Sequence, residues 1–361
     1  MIKNYTKILF LGMHIPEIKY VGKYEIHGVK IRPLNGIRWS LKLAIRDGLD
    51  GVLKKKSVLK AEMVDELYRD HDSDYLKYCY EIIDYIKNNN FEIIFFCAFN
   101  YIHPEIINKE LSGRTKVLGF IDDPHSTYIR GIPYLWAFDA AYYISPSYSN
   151  QMSFLELFNK VGFNKVRWLP LVQPIDYSQL SFEEVINRGN LSCYVGNPTK
   201  SKYNRIKILK ESFGDQFKLY GRWPFSGYYG YIQPIFGAKP FFERVRSISD
   251  SQKQSLYLNT KIGFNMHVSD YPAESGNART YEIAAYGMMP LSDRGGKNMQ
   301  NMIFEEGTEA IYYSDTDEAI DLIKFYGAND KIRAKIAYRA HQRYCGEYQW
   351  EKVILDFLKW L

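Results

Sequence analysis

Only four cysteines, Cys79, Cys97, Cys193 and Cys345, occur in 361 residues, and none has the spacing of a metal or redox motif. That excludes a zinc-ribbon or disulfide-framework fold and points to a reducing compartment. Cys97 and Cys193 stand inside apolar runs and read as small core residues. No apolar stretch reaches membrane-spanning length, and the longest, residues 91–99, holds Glu92. No apolar signal core follows Met1. A cytoplasmic protein without a transmembrane segment is therefore expected, with peripheral membrane contact left open. Long blocks of one charge are also missing. The densest, Lys54-Lys55-Lys56, reads as a solvated turn rather than a basic arm.

What is present is a net charge of +6 and an aromatic fraction of 16%, with 31 tyrosines and 6 tryptophans. A modest positive balance suits an anionic partner: a nucleotide diphosphate, an acidic glycan, a membrane surface or nucleic acid. Aromatics with a polar handle suit stacking on sugar rings or bases. Codon bias toward Tyr, Lys, Asn and Ile accounts for the same composition.

The length allows two domains, each able to bury its own core. Short apolar runs alternate with segments of helical apolar spacing, which predicts an α/β protein with parallel sheets and helices on both faces. In the first half, strands are expected over 7–11, 91–97, 116–121, 140–144 and 166–169, and helices over 37–49, 61–88 and 148–160. The polar stretch 174–190 reads as a linker. The pattern then restarts, with strands over 191–195, 217–220, 261–268, 288–292 and 310–313. Helices are expected over 203–213, 278–286, 316–326 and 330–344, and a Gly/Pro/aromatic loop over 222–240. The expected division is a Rossmann-like domain over 1–175, a second over 190–345, and a C-terminal helix, 346–361, that could pack back on the first domain.

Ligands of such sheets bind beyond the carboxyl ends of the strands. Attention therefore falls on Gly12 to His14, Asp122 to His125, Gly196-Asn197, Gly221-Arg222 and residues 267–277. In the last of these a strand runs into a polar loop, and a helix starts at Asn277, a good N-cap residue. Gly276 just ahead of it would let backbone N–H groups approach an anion, which the helix dipole also favours. Arg279 and Thr280 in the first turn could each reach a phosphate oxygen. Two acids, Glu274 and Glu282, bracket this start with seven residues between them. A carboxylate can accept both hydroxyls of a ribose, as a strand-end acid does in dinucleotide sites. Glu282 suits that task, and Glu274 then reaches hydroxyls of the sugar the nucleotide carries. The alternative is a solvated loop acid and an exposed helix residue.

This segment resembles the C-terminal domain of GT-B glycosyltransferases, in particular the CgeB-like (spore maturation protein) group and the wider family 4 enzymes. The resemblance rests on the Glu274/Glu282 spacing, on residues 279–287 (RTYEIAAYG), on Ser292-Asp293, and on residues 316–320 with the tail 331–344. It covers about residues 190–345; residues 119–123, 138–145 and 168–170 fit more faintly. It implies two Rossmann-like domains facing a central cleft. It also implies transfer of a sugar from a nucleotide-diphosphate donor, a UDP-sugar, to a glycan or other hydroxyl acceptor, with no metal and no further cofactor. Glu282 would hold the ribose and Glu274 the donor sugar. Lys202 and Arg205, following Gly196-Asn197, would bind the diphosphate, with Arg222 as a rival. The family's Arg and Lys have another spacing, and surface charge is the alternative for all three.

With that resemblance, the reaction retains anomeric configuration and needs no dedicated base. An inverting reaction needs one near the acceptor hydroxyl. Asp123 and His125 are then the candidates, although Asp-Asp-Pro-His is also good turn chemistry. His14 and His267 read as polar strand-end residues. Gly12 would let the first-domain loop approach the diphosphate. The other large transferase fold uses Asp-x-Asp to hold a metal. Here Asp72-Ser73-Asp74 falls in a helical pattern and Asp315-Thr316-Asp317 looks like a helix cap. The aromatic run 223–231 could stack on a base or an acceptor ring, or form an interface. Three other functions fit the same residues: a transferase that glycosylates DNA bases, with DNA as partner, a nucleotide-sugar epimerase, and a non-catalytic glycan-binding protein.

Overall fold

The computed structural model describes residues 5–12, 15–29, 76–97, 102–120, 131–148, 151–175, 177–196, 200–221, 245–267, 276–295 and 300–361. Two compact units are present, one ending at Tyr142 and the other running from Tyr143 to Leu361. The expected helix over 37–49 and the first part of that over 61–88 lie outside the described residues.

The first elements are β1 (Thr6–Leu11), β2 (Ile15–Val21) and β3 (Tyr24–Val29). Helix α1 (76–88), β4 (Ile93–Phe96), α2 (Pro104–Glu110), β5 (Thr115–Phe120) and β6 (Ala140–Tyr143) follow. Next come α3 (Phe154–Lys160) and β7 (Val166–Trp168). One sheet has seven strands in the order β2-β3-β1-β4-β5-β6-β7. Its centre is apolar on both faces, as a parallel sheet requires: Ile8 to Leu11 and Ile94 to Phe96 are buried, and Phe10 stacks on Phe95 at 4.3 Å. The β2–β3 hairpin is absent from the sequence-based expectation. β2 pairs antiparallel at the sheet edge and leaves Ile18 and Tyr20 exposed, so it has no continuous apolar run to betray it. Helix α3 starts six residues later than expected, where Ser153 and Glu156 form a capping box.

The second sheet has the order β12-β11-β10-β8-β9, with every pairing parallel. Its elements are α4 (Phe182–Ile186), β8 (Asn190–Val195), α5 (Lys200–Phe213), β9 (Phe217–Tyr220), α6 (Asp250–Leu258), β10 (Thr260–Asn265), α7 (Ala278–Ala285) and β11 (Met289–Asp293). The chain ends with β12 (Ile311–Tyr313), α8 (Thr316–Ala328), α9 (Asp330–Glu347) and α10 (Trp350–Trp360). Phe264 stacks on Tyr313 at 5.2 Å in a core with Tyr194, Ile206, Phe217, Ile262 and Leu291. The cap expected at Asp315 is present: its side chain accepts from Glu318 N at 2.8 Å. Helix α10 reaches β7, where Arg167 donates to the Asp356 carbonyl at 3.1 Å.

The stretch expected to be a polar linker, 174–190, is instead part of this core. Leu180 and Val185 are buried, and α4 carries a capping box, Ser181 with Glu184. Its polarity belongs to residues that bind backbone. Arg188, 6% exposed, donates to the carbonyls of Tyr257 (3.1 Å), Thr260 (3.0 Å) and Tyr286 (2.7 Å). Burial, and then the neighbouring Arg333, bring its pKa down to about 10. Arg333 donates to the carbonyls of Val185 and Ile186 at 3.1 and 2.9 Å. Each arginine closes carbonyls that helix and strand ends leave open. Arg188→Met keeps the stem but orphans those carbonyls, and should lower unfolding free energy by about 3 kcal/mol in urea titrations.

His341 joins the same segment to the helices. Its Nδ1 lies 3.1 Å from the Ala284 carbonyl and its Nε2 3.0 Å from the Leu180 amide. A carbonyl only accepts and an amide only donates, so the ring is neutral with its proton on Nδ1. Burial lowers its pKa from the ordinary 6.5, which the bond to Ala284 only partly offsets. The unfolded chain then binds the proton first. The stabilisation is complete above about pH 6.5 and is lost as pH falls toward the lowered value. Stability measured across that window should slope downward with acid in the native chain, and less so in His341→Gln.

Candidate functional site

Strand β10 is apolar from Ile262 to Phe264 and ends at Asn265, which is 1% exposed. A buried amide must satisfy two donors and two acceptor sites. Asn265 does so: its nitrogen donates to Thr280 Oγ1 and Ser292 Oγ, both at 3.1 Å. Its oxygen accepts from Asn277 Nδ2 at 3.1 Å and from Arg279 Nη1 at 3.2 Å. One side chain thus ties the ends of β10 and β11 to the first turn of α7. Asn277 is the N-cap, as its residue type predicts. Its side chain accepts from Thr280 N, and Thr280 Oγ1 accepts from Asn277 N, each at 3.2 Å. Gly276 leads directly into this cap.

Arg279 acts otherwise than its position suggests. Its guanidinium donates to the Val195 carbonyl from Nε (3.0 Å) and Nη2 (2.6 Å) and lies 4.4 Å from the Tyr194 ring centroid. Burial disfavours its charge, but Tyr194, Tyr257 and Glu282 outweigh it and raise the pKa. Its donors hold the end of β8 rather than an anion. A Cβ on Gly196 would run into this guanidinium, so glycine is what allows the loop and the arginine to share the space.

Beyond β11, Asp293 is 4% exposed and His267 2% exposed. The His267 amide donates to both carboxylate oxygens, at 3.1 and 3.0 Å, and Nδ1 lies 2.7 Å from Oδ1. Arg205 of α5 approaches the same carboxylate at 3.6 Å. Burial pushes the Asp293 pKa up, but His267 and Arg205 overcome it and hold the group below its ordinary value. His267, expected to be a simple strand-end residue, is thus fixed by an acid, and Arg205 is paired rather than a free surface charge. Lys202 is 7% exposed, which removes the surface reading for it as well.

Glu282 is 9% exposed, not the exposed helix residue of the bland reading. Its Oε1 accepts from Lys253 Nζ at 3.1 Å. Lys253 was not among the expected residues. It sits on α6, whose short polar sequence (DSQKQSLYL) carries little apolar periodicity. The signal available was the Ser249-to-Gln252 capping spacing. A cavity of about 310 Å³ lies against the same helix, lined by Tyr220, Arg246, Ser247, Ile248, Gln252 and Leu256.

The structure therefore groups Gly196, Asn277, Arg279 and Thr280 around Asn265, Glu282 with Lys253, and Arg205 with Asp293. Gly12 ends β1 in the other unit, with φ at 100°, which favours glycine. Glu274, Asp123, His125, Asn197 and Arg222 lie outside the described residues, as do His14, Asp72 to Asp74 and the aromatic run 223–231. Among the described residues, no three His, Cys, Asp or Glu side chains are grouped to hold a metal ion, and no helix is long and apolar enough to cross a membrane.

Residues 204–359 match a family model described as glycosyl transferase-like. That stretch is glycosyl transferase-like in sequence; it runs from within α5 to α10 and contains Asn265, Arg279, Glu282 and Asp293. In sequence, no curated protein matches the chain. Among solved structures it is similar to Anabaena HepE in complex with UDP and glucose, at 14% identity and a TM-score of 0.56, covering 99% of this chain and 100% of that one. A glycosyltransferase from Rickettsia africae is similar at 13% identity and a TM-score of 0.54, covering 99% and 98%. Sucrose-phosphate synthase from Thermosynechococcus elongatus follows at 13% identity and 0.52, covering 98% and 87%. The chain thus has the GT-B type of α/β fold with parallel sheets.

The Asn265 cluster sets a stability test. Asn265→Ala orphans four buried partners and should cost about 2–4 kcal/mol in urea unfolding. Asn277→Ala, which removes the cap, should cost about 1 kcal/mol.

Proposed function

We propose that the chain transfers a sugar from a nucleotide-diphosphate donor, a UDP-sugar, to a glycan or other hydroxyl acceptor, with retention and without a metal ion. The observation that carries this reading is the buried carboxylate of Glu282. It stands on α7 just past a capped N-terminus and is paired with Lys253 of α6, a helix whose Gln252 and Leu256 line a cavity. Burying a carboxylate is costly unless it has partners, and a ribose diol supplies two more donors. The base fits the cavity against α6, and the diphosphate fits the N-terminal turn of α7, where oriented amides stabilise a departing anion.

In this reading Glu282 accepts the ribose hydroxyls and Glu274 the hydroxyls of the donor sugar. Asn197 and Gly276 present backbone donors to the diphosphate, while Gly196, Asn277 and Thr280, whose amides bond Tyr220, Thr280 and Asn277, shape the turns around it. Lys202, Arg205 and Arg222 supply positive charge. Arg279 holds the end of β8 in place. Retention leaves no general base to assign; if configuration inverts, Asp123 or His125 takes the acceptor proton. UDP in the HepE structure supports the choice of nucleotide. The Glu274/Glu282 spacing supports a CgeB-like or family 4 affiliation, and two Rossmann-like domains, expected over 1–175 and 190–345 with the C-terminal helix after them, belong to the same proposal. A cytoplasmic location accords with the isolated cysteines.

A thermal-shift panel of UDP, GDP, dTDP and CMP tests the donor. UDP at a hundredfold excess over its Kd should stabilise the native chain by about 2.7 kcal/mol, and Glu282→Ala should abolish that shift. An unchanged shift in Glu282→Ala removes the ribose role. No shift with any nucleotide removes the transferase reading.

A further inference from the structure

We infer that Lys253 is the positioning residue that makes Glu282 a reader of the ribose cis-diol, an assignment that rests on the donor-site reading above. Glutamate turns about three side-chain bonds, and a carboxylate that accepts two neighbouring hydroxyls must have its plane held. Among the described residues, the hydrogen bond that the Glu282 carboxylate receives is the one from Lys253 to Oε1, at 3.1 Å. The side chains are 22% and 11% exposed, so the pair is shielded from water on most sides while one edge stays open to a ligand. Charge-assisted bonds in such surroundings are about twice as strong as neutral ones.

The lysine is itself held from both ends of its helix. At the start of α6, Ser249 and Gln252 form a capping box, with Gln252 N donating to Ser249 Oγ at 3.2 Å and Ser249 N donating to Gln252 Oε1 at 3.0 Å. At the other end, Arg188 clamps the carbonyl of Tyr257, whose side chain is 1% exposed. Asp250 is Lys253's other acidic neighbour, at 3.9 Å and fully exposed, and competes weakly. Gln252 lines the cavity that suits the base, while the next residue bonds Glu282. One turn of helix therefore couples the seat of the base to the residue that takes the ribose. Lys253 acts through Glu282 and touches no reacting atom.

Calorimetric titration with UDP and with 2′,3′-dideoxy-UDP tests this on the full chain. The native protein should bind UDP at least about tenfold more tightly than the dideoxy analogue, the scale of one or two charge-assisted bonds. Lys253→Met should lose most of that preference while its Kd for the dideoxy analogue stays within about twofold, and Lys253→Arg should keep it. Glu282→Gln is the reference. If Glu282→Gln loses the preference and Lys253→Met retains it, the ribose role of Glu282 stands and the positioning role of Lys253 falls. If Lys253→Met weakens both nucleotides equally, the lysine only braces α6 against α7 and the inference is overturned. If Glu282→Gln keeps the preference, or the native chain binds no UDP, the donor-site reading falls and takes this inference with it.

Discussion

The second unit depends on one buried amide. Asn265 lies where β10 gives up its ladder and α7 has yet to begin, a place where backbone and side-chain polar groups from three segments meet out of water. Its four hydrogen bonds leave none of its own groups unpaired. They also fix the direction of α7 and, through Arg279, the end of β8. In a low-dielectric interior a complete network of this kind is rigid, whereas an incomplete one is a liability. Asn277, Arg279 and Thr280 are set from this point, and Arg205 from Asp293.

A second set of polar anchors works at the opposite face of the logic, on backbone rather than on side chains. Arg188 and Arg333 collect carbonyls from α4, from the end of α6, from the start of β10 and from the residue after α7. His341 adds a neutral bridge between Leu180 and Ala284. The segment before β8 is thereby a brace for both helices that flank β10, and Lys253 and Glu282 ride on those two helices.

Much of the fold was legible because buried parallel strands write themselves as apolar runs. The strands from β4 to β12 fall within a few residues of expectation, and Asn277 and Asp315 are caps by their chemistry alone. What stayed hidden has a physical reason in each case. Strand β2 of the β2–β3 hairpin leaves Ile18 and Tyr20 exposed. The 174–190 stretch looked like a linker because its arginine and capping residues are polar, although they satisfy buried backbone. Helix α6 was missed since its one fully buried apolar residue is Tyr257. At the site, Glu282 was singled out for its spacing, but Asn265 sat unnoticed inside KIGFNMHV, where an amide interrupting an apolar run was the clue. Arg279 stands where a phosphate-binding residue would, yet its guanidinium turns to the Val195 carbonyl, a direction that position in the sequence does not carry.

The saturation of Asn265 bears on how such a site can diversify. Aspartate in its place would lose both donors, leucine all four bonds, and glutamine would displace whatever it still reached. The floor of the site is therefore closed to gradual change. Helix α6 is built on the opposite terms: it is short, mostly solvated, and joined to the floor chiefly by one lysine and one arginine. Variation in nucleotide preference among chains with this floor would accumulate there, so that two relatives could share the network atom for atom and still choose different donors.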